Sequence, residues 1–207
     1  VEDLELELDE DRISFTVQNG AVTTSQTAGV DSLTATLADG TTADVAATQD
    51  VAYQSLDEDI VEIEDDSPID IVPTGESAAT ATIQASLQNE QATAEITVTR
   101  RVTTTIQGNT LSSDDTDSLN QITFDSSNLD GVSADIEESD RPDQAASQAI
   151  NNEAPDFEPA ASVNIDIDGA ENEGATLRVR IPESQVDDRF SVTTFRVPSG
   201  ATQAEEL

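Results

Sequence analysis

Residues 79–99 read ATATIQASLQNEQATAEITVT, and the fold class follows from the pattern of this segment. Small or apolar residues alternate with polar ones on both sides of Gln88-Asn89-Glu90-Gln91, a pattern typical of two strands joined by a turn. In such strands one row of side chains faces a core and the other faces solvent. The stretch therefore predicts a hairpin of half-buried strands.

The same period of two runs through the residues that precede this hairpin. Leu4, Leu6 and Leu8 alternate with glutamates, and Asn19-Gly20 and Asp39-Gly40 are typical hairpin turns. Further strands are predicted at 13–17, 33–37, 43–45, 52–56, 60–63 and 69–72. About eight short strands at this spacing predict an all-β sandwich.

The second half repeats the pattern less regularly. Arg100-Arg101 is the only adjacent basic pair, interpreted as neutralising nearby carboxylates, and the domain boundary is placed there. Strands are predicted at 122–124, 132–136, 161–167, 175–182 and 191–197. Between them we expect a long acidic loop around 137–160, with one or two helical turns at 145–150 between Pro142 and Pro155. The sequence thus predicts two domains, 1–101 and 102–207.

Charge sets the solvent in which such a fold is stable. The chain has 44 acidic and 8 basic residues, none of them Lys, and a net charge of −36. Self-repulsion on that scale opposes a compact state unless salt screens it, and at 1 M salt the Debye length is only about 3 Å. An acidic disordered segment is the competing interpretation. The sustained alternation favours a folded protein adapted to molar salt.

The order of motifs in the first half resembles a known domain family. An apolar strand with a D-G turn (33–41), an aromatic residue before a serine turn (53–57), a strand at 60–63, the segment from Gly75 to Ile83 and a strand at 94–98 are similar to the bacterial immunoglobulin-like group 2 domain. Tyr53 takes the place of the customary Trp. The resemblance covers about residues 1–100 and implies an immunoglobulin-like sandwich that acts as a spacer, stalk or adhesive module.

A second resemblance covers about residues 103–200. The strand at 161–167, the A-T-L-R-V-R-I-P-E-S segment at 175–184 and the strand at 190–196 are similar to the PGF-pre-PGF domain of archaeal surface proteins. Together the two resemblances imply an all-β chain of two tandem immunoglobulin-like β-sandwich domains.

The amino-acid composition excludes most of the common catalytic mechanisms. Without His, Cys or Lys, the usual activated nucleophiles, Schiff bases and imidazole metal sites cannot be built. No glycine-rich phosphate loop or paired aspartic-protease motif is present, so we expect no enzyme. A surface of this sign excludes nucleic acid as a partner, and no apolar run is long enough to predict a membrane span within this sequence.

Acidic clusters beside turns are the remaining candidate sites. Calcium takes six to eight oxygen ligands, which makes it the metal to consider, although no cluster has the spacing of the calcium-binding helix-loop-helix motif. In so acidic a chain, a solvated surface loop is the interpretation that competes with a metal site, and no cofactor is assigned. The candidate metal ligands are Asp57, Asp59, Asp65, Asp66, Asp166 and Asp168.

These observations predict a non-enzymatic structural or adhesive module of a halophilic archaeal cell-surface or extracellular protein. Its expected partners are other surface proteins, including copies of itself. A virion structural protein of a haloarchaeal virus, such as a spike, tail or capsid decoration, is the alternative, and an accessory domain of a secreted hydrolase is a third. Strand edges could pair with neighbours, but we expect an acidic surface to resist this unless cations intervene.

Overall fold

The computed structural model describes residues 1–48, 50–64, 69–112, 115–116, 119–124, 129–142, 144–154, 161–167, 175–179, 195–196 and 205–206. The chain forms two compact units, Val1–Arg101 and Val102–Leu207. The described residues are mostly β-strand in several sheets, which confirms the predicted all-β class.

Three groups of paired strands make up the first unit. One sheet has the order β1-β4-β5; in another, β6 pairs with β9, β9 with β10, β10 with β2 and β2 with β3; β7 and β8 form a hairpin. The bounds are β1 Asp3–Leu8, β2 Arg12–Gln18, β3 Ala21–Ser25, β4 Val30–Thr36, β5 Thr42–Asp44, β6 Ala52–Ser55, β7 Val61–Glu64, β8 Asp70–Pro73, β9 Thr80–Leu87 and β10 Glu90–Thr105, whose last residues belong to the second unit.

The hairpin of residues 79–99 is formed by β9 and β10. Burial alternates along all of β9, and the register pairs Leu87 with Glu90 across a two-residue turn. Gln88 opens this turn with φ of 58°, a left-handed conformation that costs a non-glycine residue free energy. The turn chemistry is therefore suboptimal, and long-range packing of the buried face holds the hairpin.

The core of the first unit centres on Phe15. This ring is fully buried, and truncation of such a side chain typically costs about 3–5 kcal/mol. The guanidinium of Arg100 lies over it at 5.5 Å from the ring centre and donates a 2.8 Å hydrogen bond to the Glu76 carbonyl. Arg100 is only 7% exposed, so this member of the basic pair lies in the core. Arg101 alone is exposed.

The β2–β3 hairpin turns at Asn19-Gly20 as predicted, with positive φ at both residues. Strand β3 itself was not predicted, although Val22 and two threonines give it strand propensity. Gly75, at φ +84°, lies against Val22, and a Cβ at this position would come 2.5 Å from the Val22 Cγ2. The absence of a side chain at Gly75 therefore leaves space for the Val22 side chain of β3.

The second unit pairs the end of β10 with β13, and β13 with β14; β11, β12 and β15 form a further sheet and β16 and β17 a short pair. Its apolar core includes Ile106, Leu111, Ile122 and Ile136. The bounds are β11 Thr110–Leu111, β12 Leu119–Phe124, β13 Ser133–Ser139, α1 Gln144–Glu153, β14 Ser162–Ile167, β15 Ala175–Val179, β16 Phe195–Arg196 and β17 Glu205–Glu206.

The prediction of an acidic loop around 137–160 is wrong for most of the described residues in that range. Strand β13 continues to Ser139, and a ten-residue helix, α1, follows at Gln144–Glu153. Alanine and glutamine favour helix, and Pro142 precedes the helix instead of interrupting it. Ala149 is fully buried, so tertiary packing extends what the sequence predicted as one or two turns.

Candidate functional site

Asp57 lies at the start of a tight turn between β6 and β7. Its N–H donates to the Ser55 Oγ at 3.1 Å, and its carbonyl accepts hydrogen bonds from the N–H groups of Ile60 and Val61. Its carboxylate accepts a 2.8 Å hydrogen bond from the Thr82 N–H. The carboxylate therefore ties the turn to β9, a structural role that sequence reasoning did not assign.

An acidic depression borders this turn. It has a volume of about 340 Å³ and is lined by Glu58, Asp59, Glu62, Pro73, Thr74 and Glu76. The Thr74 hydroxyl donates to the Asp59 carbonyl at 2.7 Å, which joins the two sides of the depression. Four carboxylates around an open, polar hollow attract cations from solution.

The six predicted metal ligands do not meet in the part of the chain that is described. Asp57 and Asp59 lie in the turn beside the depression, Asp166 lies on β14, and Asp65, Asp66 and Asp168 fall outside the described residues. Among the described residues, no three acidic side chains come close enough to share a metal ion. A calcium site at these aspartates therefore stays a prediction.

Among the described strands, two pairs place carboxylates directly opposite each other. Glu64 on β7 faces Asp70 on β8, and Asp135 on β13 faces Asp166 on β14. Like charges in this position destabilise an antiparallel pair. The Asp135 carboxylate also accepts a 2.7 Å hydrogen bond from the Thr103 hydroxyl, which holds it in place. Sequence reasoning missed both pairs, because register depends on which strands meet.

Among the described residues of the second unit, Glu138 is the most deeply buried ionisable side chain, at 2% exposure. One carboxylate oxygen accepts a 3.0 Å hydrogen bond from the Leu119 N–H, and the Thr116 hydroxyl donates to the Leu119 carbonyl at 2.7 Å. The backbone N–H and carbonyl of Leu119 are thereby both satisfied in the interior. Glu138 consequently anchors the start of β12.

The described chain shows no helix that is both long and apolar enough to cross a membrane. Comparison with family models, with curated proteins and with solved structures finds no match.

Proposed function

We propose that this chain is a non-enzymatic structural or adhesive module of a halophilic archaeal cell-surface or extracellular protein, built from two tandem immunoglobulin-like sandwiches. The observation that carries the proposal is the pair of opposed carboxylates at Glu64 and Asp70, repeated at Asp135 and Asp166. Like charges that a fold places face to face cost less free energy in a solvent that screens them.

Salt provides that screening. At 0.1 M the Debye length of about 10 Å is longer than the distance between opposed side chains, whereas at 1 M it is about 3 Å and shorter. Along β1 the charges also occupy the solvent face, since Glu5 and Glu7 are exposed and Leu4 and Leu6 are buried. These exposed glutamates contribute to the net charge of −36 and lie on the surface of an ordered β fold. This arrangement suits a protein that functions in molar salt.

Several features of the first unit support an immunoglobulin-like sandwich. A three-stranded sheet and a sheet of five paired strands bury alternating Leu, Ile, Val and Ala side chains. The D-G turn joins β4 to β5, and Tyr53 lies on β6, in the order that the resembled family has. For the second unit, the paired strands β13 and β14 support the proposal less directly.

The structural or adhesive role is supported by the chemistry of the side chains. The chain has no His, Cys or Lys. Among the described carboxylates, Asp57 and Glu138 accept hydrogen bonds from backbone N–H groups of other strands. Groups used in this way fasten loops and strands.

Immunogold electron microscopy of native cells and culture fluid, with antibodies against this chain, tests the location. We expect regular labelling of the cell envelope or extracellular material. Labelling confined to virus particles would assign the chain to a virion instead, and labelling confined to the cytoplasm would overturn the proposal. Thermal unfolding from 0.5 to 3 M KCl tests the solvent, with a midpoint that rises with salt as the expected result.

A further inference from the structure

Strand β3 is an exposed sheet edge without charge. All five of its residues are exposed, including Val22 at 48%, and among the described strands it pairs only with β2. It lies within residues 13–30, the longest stretch of the sequence that contains no charged residue. In a chain of net charge −36, this hairpin is a place where two surfaces can meet without bringing carboxylates together.

The register shows which backbone groups of β3 are available. The Gln26 N–H donates to the Ser14 carbonyl at 2.7 Å, so this pair is hydrogen-bonded across the hairpin. The next pair, Phe15 and Ser25, is therefore a non-hydrogen-bonded pair, and the Ser25 N–H and carbonyl point away from β2. A bulge at Thr23 interrupts the edge, which limits pairing to a short segment and makes it weak.

The edges of the other sheet carry the charges that normally prevent strand pairing, and β6, the far edge of the sheet that contains β3, is itself uncharged but lies between Asp50 and Asp57. Strand β1 exposes Asp3, Glu5 and Glu7, and β5 ends in the exposed Asp44. Charged side chains on an edge strand are a common protection against pairing with another chain. Strand β3 has none, so the expectation that acidic edges resist pairing does not apply to it.

We propose that β3 pairs with β3 of a second copy of this chain, antiparallel across a two-fold axis. A two-fold axis brings the same patch from both copies together, and this patch is neutral on both sides. The remaining charge of each copy still repels the other over the range of the Debye length. Association should therefore strengthen as salt rises, the opposite of an interface formed by opposite charges. The inference goes beyond the proposed function, because it holds wherever the chain resides.

Cysteine cross-linking tests this contact in the full chain, which contains no natural Cys. In 3 M KCl with a mild oxidant, we expect Ser25→Cys to form disulfide-linked dimers, because the outward N–H and carbonyl of Ser25 place this residue opposite its own copy. Thr42→Cys, on the exposed edge strand β5 of the other sheet, is the matched control and should stay largely monomeric. Cross-linking of the control as fast as of the β3 variant would overturn the proposal, since a disulfide needs Cα atoms within about 7 Å.

Sedimentation velocity supplies the second measurement. Wild type at high protein concentration should show a dimer fraction that falls when KCl is lowered from 3 M to 0.5 M. Ser25→Pro removes the outward N–H and should weaken the dimer about tenfold or more, while the hydrogen bonds to β2 remain. A wild-type chain that is monomeric at every salt concentration, or a folded Ser25→Pro variant that dimerises normally, would refute the pairing. If the Ser25→Pro variant does not fold, the disulfide cross-linking of the cysteine variants tests the proposed pairing by itself.

Discussion

The opposed carboxylates Glu64 and Asp70 give a prediction whose magnitude can be worked out. Opposed side chains lie about 5 Å apart, and in water two unit charges at this distance repel by about 0.8 kcal/mol. Screening lowers the repulsion to about 0.5 kcal/mol at 0.1 M salt and about 0.15 kcal/mol at 1 M. A double-mutant cycle of Glu64→Gln and Asp70→Asn should therefore show a repulsive coupling that decreases about threefold between these salt concentrations.

The assay is urea unfolding followed by circular dichroism, with the free energy of unfolding measured for wild type, both single variants and the double variant at each salt concentration. Glu5→Gln is the matched control, because Glu5 is exposed on an antiparallel strand but faces Thr34. Glu5→Gln and Glu64→Gln each remove one charge. When each is combined with Asp70→Asn, only Glu64→Gln should show a repulsive coupling free energy with it. A coupling that is attractive, or equal at both salt concentrations, would refute the reasoning.

Three further predictions concern single residues. Asp57→Ala should lower the free energy of unfolding by about 1–2 kcal/mol, because the Thr82 N–H loses its charged acceptor; Asp57→Asn should lose less, and a loss that appears only when calcium is present would indicate a metal ligand instead. Gln88→Gly should stabilise the chain by about 0.5 kcal/mol, since glycine relieves the positive φ but adds unfolded-state entropy; Asn89→Gly, where φ is not positive, should destabilise it in the same denaturant assay. Burial raises the pKa of Tyr53 above its usual 10.0, so its contribution to stability is complete below pH 10 and lost as pH rises through the folded-state pKa. Absorbance titration of this sole tyrosine and unfolding from pH 9 to 12 check this, and Tyr53→Phe should lose less stability over the same range.

Local signals predicted much of the first unit. Alternation located β1, β2, β9 and β10, and Asn19-Gly20 gave the correct turn because asparagine and glycine tolerate positive φ. Strand β3 escaped notice because its polar residues show no alternation, and α1 was predicted too short because burial of Ala149 is a tertiary contact. The role of Asp57 was missed for the same reason, since Thr82 is distant in sequence.

By itself, the sequence determined the all-β class, the position of most turns and the net charge, because these follow from the side-chain period of a strand and from composition. Only the tertiary structure decided which charges face each other, that Arg100 lies buried over Phe15 and that β3 is a neutral exposed edge. Each of these depends on strand register and sheet order. Register is fixed by packing between segments far apart in the chain, and no local pattern of residues specifies it.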